Sequence, residues 1–283
     1  MSATKTITAA EINKLRQTTG AGMMDCRKAL IESDGDFEKA IDYLRKKGQK
    51  VAALRSDREA KEGVIIAKTT ADARTGFIIT LACETDFVAK NSDFVSFAQS
   101  IMNLALRINA KSLDELLAAK LEGVSVSDKI NDQVARIGEK IQLARFERID
   151  SEGVAAYIHG TYRMGVLVGL SKNNPAVLEA GRDLAMQIAA MNPVAVDADS
   201  VPAETVAREK AIATDQIRND PKMKGKPEEM IEKIATGKLN AFFKENTLAA
   251  QPYVKDAAKT VGDYLKSVDP GVKVTQFKRL QLG

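Results

Sequence analysis

The chain has 283 residues, of which 45% are hydrophobic and 28% are charged, so it can form one large domain or two to three smaller ones around real hydrophobic cores. Its 42 Lys and Arg residues against 38 Asp and Glu residues leave a net charge of only +4, and aromatic residues make up 5% with no Trp. Both features count against nucleic acid as a direct partner, because phosphate binding needs concentrated positive charge and base stacking needs aromatic rings.

The cysteine content and the N-terminus bear on the compartment. Cys26 and Cys83 lie far apart and form no Cys-x-x-Cys pair, which excludes a disulfide framework and favours a reducing compartment. The first residues, 1–6, lack the apolar core of a signal peptide, and no apolar stretch approaches the ~20 residues needed to span a bilayer. The sequence therefore predicts a soluble cytoplasmic protein that has no membrane partner.

Residues 1–50 are predicted to form a three-helix module. Thr8 and Glu11 have the spacing of a capping box, and the run from Gly20 to Gly22 separates the first helix from the second. Gly48 is predicted to end the third helix, since glycine favours the backbone conformation that follows a helix. The polar residues 51–61, whose charges alternate in sign, are predicted to be a connector.

The rest of the chain carries two copies of one pattern, at residues 62–150 and 151–283. Each copy has a first strand, a second strand headed by Gly, a helix with apolar periodicity and a closing strand. The matching segments are residues 62–66 with 152–156, 76–79 with 165–168, and 144–149 with 275–280. We therefore predict an α+β fold with two duplicated subdomains, each a three-stranded antiparallel sheet with helices on one face.

The second copy is longer than the first by a segment at about residues 203–248. This segment is rich in helix-forming residues and is interrupted by turn signals at residues 219–221 and 225–227, so we predict a helical hairpin. Its nine basic and eight acidic residues nearly cancel, which favours a solvated surface over a nucleic-acid arm. The predicted apolar stripe of the hairpin consists of Met230, Ile231, Ile234, Ala235, Leu239 and Phe242.

The stretch from Thr85 to Val88 lies where an apolar strand pattern stops and a helical pattern begins. Thr85 and Asp86 are residue types that cap a helix start, and Asp86 adds negative charge at the positive end of that helix. Phe87 then lies at a corner between two elements. An average Phe packs in the core, and the alternative is that Phe87 is presented to a partner; the local sequence does not decide between these two interpretations.

The sequence contains no recognisable catalytic or cofactor-binding motif. His159 is the only histidine, which excludes His-based zinc sites and mechanisms that need two imidazoles. No P-loop occurs, and Gly20-Ala21-Gly22 lacks the third glycine of a dinucleotide fingerprint and follows a helix. We therefore predict a binding protein without a cofactor rather than an enzyme.

Three motifs closely resemble the bacterial translation elongation factor Ts family. They are the run from Leu15 to Leu30 around Gly20-Ala21-Gly22-Met23-Met24, the run from Thr85 to Asn91, and His159-Gly160 followed by residues 163–168. The motifs are long, occur in the family's order and are spread over essentially the whole chain.

This resemblance implies a guanine-nucleotide exchange factor for elongation factor Tu, with a ubiquitin-associated-like module at residues 1–50. By the same likeness, Arg16, Met23 and Met24 would pack on a helix of the partner's nucleotide-binding domain, and His159 would face another of its domains. For the two methionines the alternative is core packing, and for His159 it is a half-exposed strand position.

The segment Thr85, Asp86, Phe87 and Val88 would, by the resemblance, enter the partner near its magnesium site. A wedged Phe87 would shift a neighbouring helix and pull apart the magnesium shell and the phosphate cradle. The expected cycle starts with binding of the GDP-bound form. GDP is then released to leave a nucleotide-free complex, and GTP binding finally displaces the factor. The complex could be 1:1 or a 2:2 heterotetramer, and the sequence does not decide which.

Two further points qualify the resemblance. Some members carry a helical segment after the last strand, whereas this sequence stops at Gly283, so we expect any contact of that segment to be missing or compensated. The alternative function is an RNA-associated translation protein that binds through a mildly basic surface, and its binding would fall steeply with salt. A ubiquitin-type binding module, based on the N-terminal helices alone, would explain only about 40 residues and would leave the duplicated core without a role.

Overall fold

The computed structural model of the chain describes residues 7–223 and 226–283. The predicted absence of a signal sequence at residues 1–6 and the predicted turn at Gly225 lie outside the described residues. The helices are, in chain order, α1 (Ala9–Thr19), α2 (Met23–Glu32), α3 (Phe37–Leu54), α4 (Asp86–Ala89), α5 (Ser92–Ile108), α6 (Leu113–Ala118), α7 (Val126–Ile137), α8 (Pro175–Met191), α9 (Ala203–Arg218), α10 (Glu228–Asn246) and α11 (Val261–Val268). The strands are β1 (Glu62–Thr69), β2 (Thr75–Cys83), β3 (Lys120–Leu121), β4 (Val124–Ser125), β5 (Gln142–Asp150), β6 (Gly153–His159), β7 (Met164–Leu170), β8 (Pro252–Tyr253), β9 (Asp256–Thr260) and β10 (Val274–Gln281).

Helices α1 to α3 pack around a small apolar cluster of their own. The capping box at the start of α1 is present: the Thr8 hydroxyl accepts the Glu11 N–H, and the Glu11 carboxylate accepts the Thr8 N–H at 2.8 Å. Gly20 adopts a left-handed conformation, with φ +68°, and ends α1. The cluster consists of Leu15, Ala21, Cys26, Ala29, Leu30, Ala40 and Leu44.

Helix α3 does not end at Gly48, so that prediction is wrong. The helix continues to Leu54 and takes in the first four residues of the predicted connector 51–61. Gly48 is buried against α7, where an added Cβ would lie 2.9 Å from the Asn131 carbonyl oxygen and 3.0 Å from the Ala135 Cβ. The glycine is therefore explained by a close approach of two helices, and not by a left-handed turn.

Two three-stranded antiparallel sheets have the same order of strands, which confirms the predicted α+β class. In the first sheet β2 is central, between β1 and β5, and in the second β7 is central, between β6 and β10. In both, a hairpin is followed by helices and by a third strand that pairs with the second strand of the hairpin. Shorter hairpins join β3 to β4 and β8 to β9.

The two sheets pack face to face, and helices cover their outer faces. Alternate residues of β2 divide between the two layers: Phe77 and Ile79 face the helices, whereas Ile78 joins the cluster between the sheets. Burial on both faces explains the unbroken apolar runs of β2 and β7. The sequence predicted helices on one face of each sheet, but not that the other face is covered by the second sheet. The cluster between the sheets consists of Ile65, Ile78, Ile149, Val154, Leu167, Leu280 and Leu282.

The predicted helical hairpin is formed by α9 and α10. Ala213 and Ile217 of α9 pack against Ile231 and Ala235 of α10. The predicted stripe is only partly interior, because Met230 lies in the first turn of α10 and is 44% exposed. Met191 is likewise exposed, since it is the last residue of α8.

Candidate partner-binding surface

A short helix, α4, presents Phe87 to solvent. Strand β2 ends at Cys83, and the Thr85 side chain caps α4 by accepting the Val88 N–H at 3.4 Å. A second helix begins directly after α4, because the Asn91 side chain accepts the Asp93 N–H at 2.8 Å and caps α5. Helix α4 is therefore one turn on a corner between two rigid elements.

The side chains of α4 divide sharply between core and solvent. Ala89 is buried, and Val88 is half-buried against the core of the first sheet. Phe87 is 85% exposed, so its side chain does not belong to the core. Asp86 is half-buried and forms an ion pair of 2.5 Å with Lys90, one turn further on. The Phe87 ring is therefore exposed to solvent on a helix whose opposite side packs against the core of the first sheet.

The strand end beneath α4 is held by a charged network. The Glu84 carboxylate, 16% exposed, accepts bonds from the Arg55 and Arg58 guanidinium groups at 2.9 and 3.0 Å. Burial opposes its ionisation, but these donors and the Lys140 N–H hold the pKa of Glu84 below its usual range. Cys83 beside it is buried, and burial together with the Glu139 and Glu62 carboxylates raises the pKa of its thiol to about 12. The thiol is therefore protonated at neutral pH.

A shallow groove lies beside Phe87, and one of its lining residues also contacts the N-terminal helices. Its lining includes Phe87, Val88 and Arg136. Arg136 also lies against the turn between α1 and α2, where a Cβ added to Gly20 would lie 2.8 Å from its Cδ. Sequence reasoning did not single out Arg136, and no local signal could have found it, because its two neighbours come from distant parts of the chain.

Arg16, Met23 and Met24 are all exposed on the N-terminal helices. The inner face of α2 is formed by Cys26 and by two residues one turn further on, so the two methionines of its first turn point outwards. Met23 is 53% exposed and Met24 is 72% exposed, and the alternative of core packing is therefore wrong. Methionine suits a contact surface because its side chain is flexible and polarizable.

His159 lies at the end of β6 and is exposed. Its Nδ1 is 2.9 Å from the Tyr157 hydroxyl, which fixes the orientation of the ring. The hairpin tip that follows approaches α4, since Thr161 and Arg163 line a shallow pocket together with Asp86. The tip is anchored on the first sheet, because the Ile65 N–H donates to the Tyr162 carbonyl at 2.8 Å, and Arg163 forms an ion pair with Glu62. The structure thus brings the hairpin that carries His159 to the Phe87 corner.

Neither a metal-binding cluster nor a membrane-spanning helix occurs in residues 7–223 and 226–283. No group of His, Cys, Asp and Glu side chains in this part of the chain could hold a metal ion. No helix within it combines the length and the hydropathy needed to cross a bilayer.

A family model and several curated relatives indicate the same protein family for this chain. Residues 84–283 match the family described as elongation factor TS. An elongation factor Ts from Flavobacterium psychrophilum is 51% identical over 278 residues, which cover 98% of this chain and 99% of the relative. Relatives of the same name from Christiangramia forsetii and Methylococcus capsulatus are 50% and 42% identical, cover 98% of this chain, and are themselves covered to 99% and 92%.

Proposed function

The chain belongs to the elongation factor Ts family, and from this premise we propose that it is the guanine-nucleotide exchange factor for elongation factor Tu in translation elongation. In this proposal the chain binds the GDP form, disturbs the magnesium and phosphate site, releases GDP and is displaced when GTP binds. It breaks no bond in the nucleotide and has no hydrolytic activity of its own. The predicted cytoplasmic location belongs to the same proposal.

The observation that carries the proposal is the 85% exposure of the Phe87 ring on a fixed helix. An exposed Phe costs free energy in water, and burying it in a partner returns about 1.5–3 kcal/mol. Because the Thr85 side chain caps the start of α4 and Asn91 starts α5 directly after it, the ring can enter a partner without prior folding of a loop. Asp86 and Thr85 fix the start of α4, and Val88 fixes its inner side.

The energetics of exchange follow from linkage. In P-loop GTPases, magnesium and the phosphate-binding loop hold the nucleotide. A factor that binds the nucleotide-free state more tightly lowers nucleotide affinity, and nucleotide must lower the factor's affinity by the same ratio. A typical coupling is about 1–3 kcal/mol, or roughly 5- to 150-fold, and an efficient exchange factor should exceed it.

The remaining predicted contacts come from the N-terminal helices and from the end of β6. We propose that Arg16, Met23 and Met24, in the partner-binding module at residues 1–50, pack on a helix of the partner's nucleotide-binding domain. His159, in the second subdomain at 151–283, then faces another domain of the partner. The first subdomain at 62–150 carries Phe87. The stoichiometry of the complex with the partner, 1:1 or 2:2, would be determined by measuring the mass of the complex.

The proposal is tested by stopped-flow release of a fluorescent GDP analogue from elongation factor Tu. We expect the wild-type chain to accelerate release, and Phe87→Ala at saturating concentration to be roughly 10- to 150-fold slower, which corresponds to the burial free energy of the ring. Leu54→Ala is the matched control, since Leu54 is also 85% exposed but does not line the Phe87 groove; we expect it to behave as wild type.

Three outcomes would contradict the proposal. A wild-type chain that does not accelerate release would remove the exchange function and favour the RNA-associated alternative. Equal rates for wild type and Phe87→Ala would leave exchange intact but remove Phe87 from it. Turnover of GTP by the chain alone would contradict the absence of hydrolysis. Normal thermal unfolding of both variants is the control for folding.

A further inference from the structure

Glu139 lies 54 residues beyond Thr85 in the chain and yet holds it by two hydrogen bonds. The Thr85 N–H donates to Glu139 Oε2 at 3.0 Å, and the Thr85 hydroxyl donates to Glu139 Oε1 at 2.7 Å. The same hydroxyl oxygen accepts the Val88 N–H at 3.4 Å. One carboxylate therefore controls both the strand end and the helix cap of α4.

The neighbouring residues form the converse contact. The Lys140 N–H donates to Glu84 Oε1 at 2.6 Å, so each segment supplies a carboxylate to the backbone of the other. The Lys140 ammonium group donates to the carbonyl oxygens of Ser56 and Arg58 at 2.6 and 2.8 Å. We call the four residues Glu84, Thr85, Glu139 and Lys140 the crossed clasp. It ties the end of β2 to the loop between α7 and β5.

Helix α4 depends on such an anchor because it is only four residues long. A single turn has too few internal hydrogen bonds to be stable by itself. Its inner face contributes mainly Ala89 and the half-buried Val88, which bury little apolar surface. The position of the Phe87 ring is therefore decided by the Thr85 cap, and the Thr85 cap is oriented by Glu139.

We propose that Glu139 is a positioning residue for exchange, which acts through Phe87 by keeping α4 formed and correctly aimed before the partner binds. This inference rests on the proposed function. It assigns to Glu139 no contact with the partner. Because Glu139 keeps α4 ordered in the free protein, no conformational entropy has to be lost in α4 when the Phe87 ring enters the partner. Preorganisation of a binding element increases affinity in this way.

The first test is the same release assay with Glu139→Ala and Glu139→Gln. Glu139→Ala removes two hydrogen bonds to a charged, partly buried carboxylate. We therefore expect the maximal rate of GDP release to be about tenfold lower, whereas the concentration of factor that gives half of this rate should change less. Gln keeps an oxygen for the Thr85 N–H, and its amide can donate to the Thr85 hydroxyl oxygen. Glu139→Gln should therefore stay within about threefold of wild type. Glu122→Ala is the matched control, because the Glu122 carboxylate bonds to Lys129 and not to α4.

The second test asks whether Glu139 acts through Phe87. In the background of Phe87→Ala, the further change Glu139→Ala should have no effect on the release rate, since α4 then has no ring to position. Amide hydrogen exchange of the free protein gives a readout without the partner: residues 85–90 should exchange faster in Glu139→Ala, while the core strands keep their protection. If Glu139→Ala does not fold, Thr85→Val replaces it, because this change removes only the hydroxyl bonds.

The outcomes separate this inference from the function on which it rests. Wild-type rates in Glu139→Ala, with a slow Phe87→Ala, would overturn the role of Glu139 and leave exchange through Phe87 standing. Additive effects in the double variant would also overturn it, because Glu139 would then act elsewhere. Equal loss in the Gln and Ala variants would likewise overturn it, because Gln can keep both hydrogen bonds to Thr85. A wild-type chain without exchange activity would overturn both proposals.

Discussion

Two glycines inside helices differ in what an added methyl group would meet, and they provide a sharp test of the packing. Gly48, within α3, would place a Cβ 2.9 Å from the Asn131 carbonyl oxygen and 3.0 Å from the Ala135 Cβ, both on α7. Gly237, within α10, has no atom within 4 Å of the same position apart from its chain neighbours and the backbone of its own helix. Neither neighbour of Gly48 is the end of a flexible side chain, so neither can move aside cheaply.

The expected effects of Gly→Ala on stability differ at these two positions. In a helix Ala is favoured over Gly by about 1 kcal/mol, and this gain applies to both sites. At Gly48 the overpacking against α7 costs about 1–3 kcal/mol, which leaves about 0–2 kcal/mol of net destabilisation. At Gly237 the gain is unopposed, so Gly237→Ala should stabilise α10 by about 1 kcal/mol.

Hydrogen exchange followed by mass spectrometry measures these effects segment by segment. Protection of α3 and α7 should fall or stay constant in Gly48→Ala, and protection of α10 should rise in Gly237→Ala. If both substitutions stabilise their helices equally, α3 and α7 do not approach each other at Gly48 as closely as described.

Two further predictions concern titratable groups. Burial raises the pKa of the Cys83 thiol to about 12, and Cys26 is buried as well. We therefore expect a thiol reagent at pH 8 to label neither cysteine until denaturant is added. Rapid labelling of the native protein would contradict this prediction. Asp183 accepts bonds from Tyr253, Tyr264 and Lys255; burial opposes its ionisation, but these donors keep its pKa below the usual range. Because the folded-state pKa lies below the unfolded one, about 3.9, this stabilisation is complete above that pH and disappears as the pH falls through the folded pKa. Asp183→Asn should therefore be about 1–2 kcal/mol less stable than wild type at pH 7 in urea unfolding, with a difference that shrinks below pH 4, and a constant difference down to pH 2 would refute the assignment.

Local signals in the sequence determined where the helices begin and which strands repeat. The capping box of Thr8 and Glu11 and the cap at Thr85 act within three residues, so the pattern predicted them directly. The duplicated strand pattern predicted two three-stranded sheets, since side-chain alternation and strand order are written along the chain. The motif around Phe87 was recognisable, but its exposure was not.

Only the tertiary structure decided the rest, because the deciding contacts join distant segments. Gly48 looks like a helix end until α7 is found against it. The apolar runs of β2 and β7 do not say that their second face is covered by the other sheet. Glu139 gives no sign of its contact with Thr85, since 54 residues and six elements separate them. Phe87 is exposed because Val88 and Ala89 occupy the inner side of a helix too short to bury more. Spacing along a chain reports neighbours within one or two turns, whereas these contacts depend on how complete elements pack.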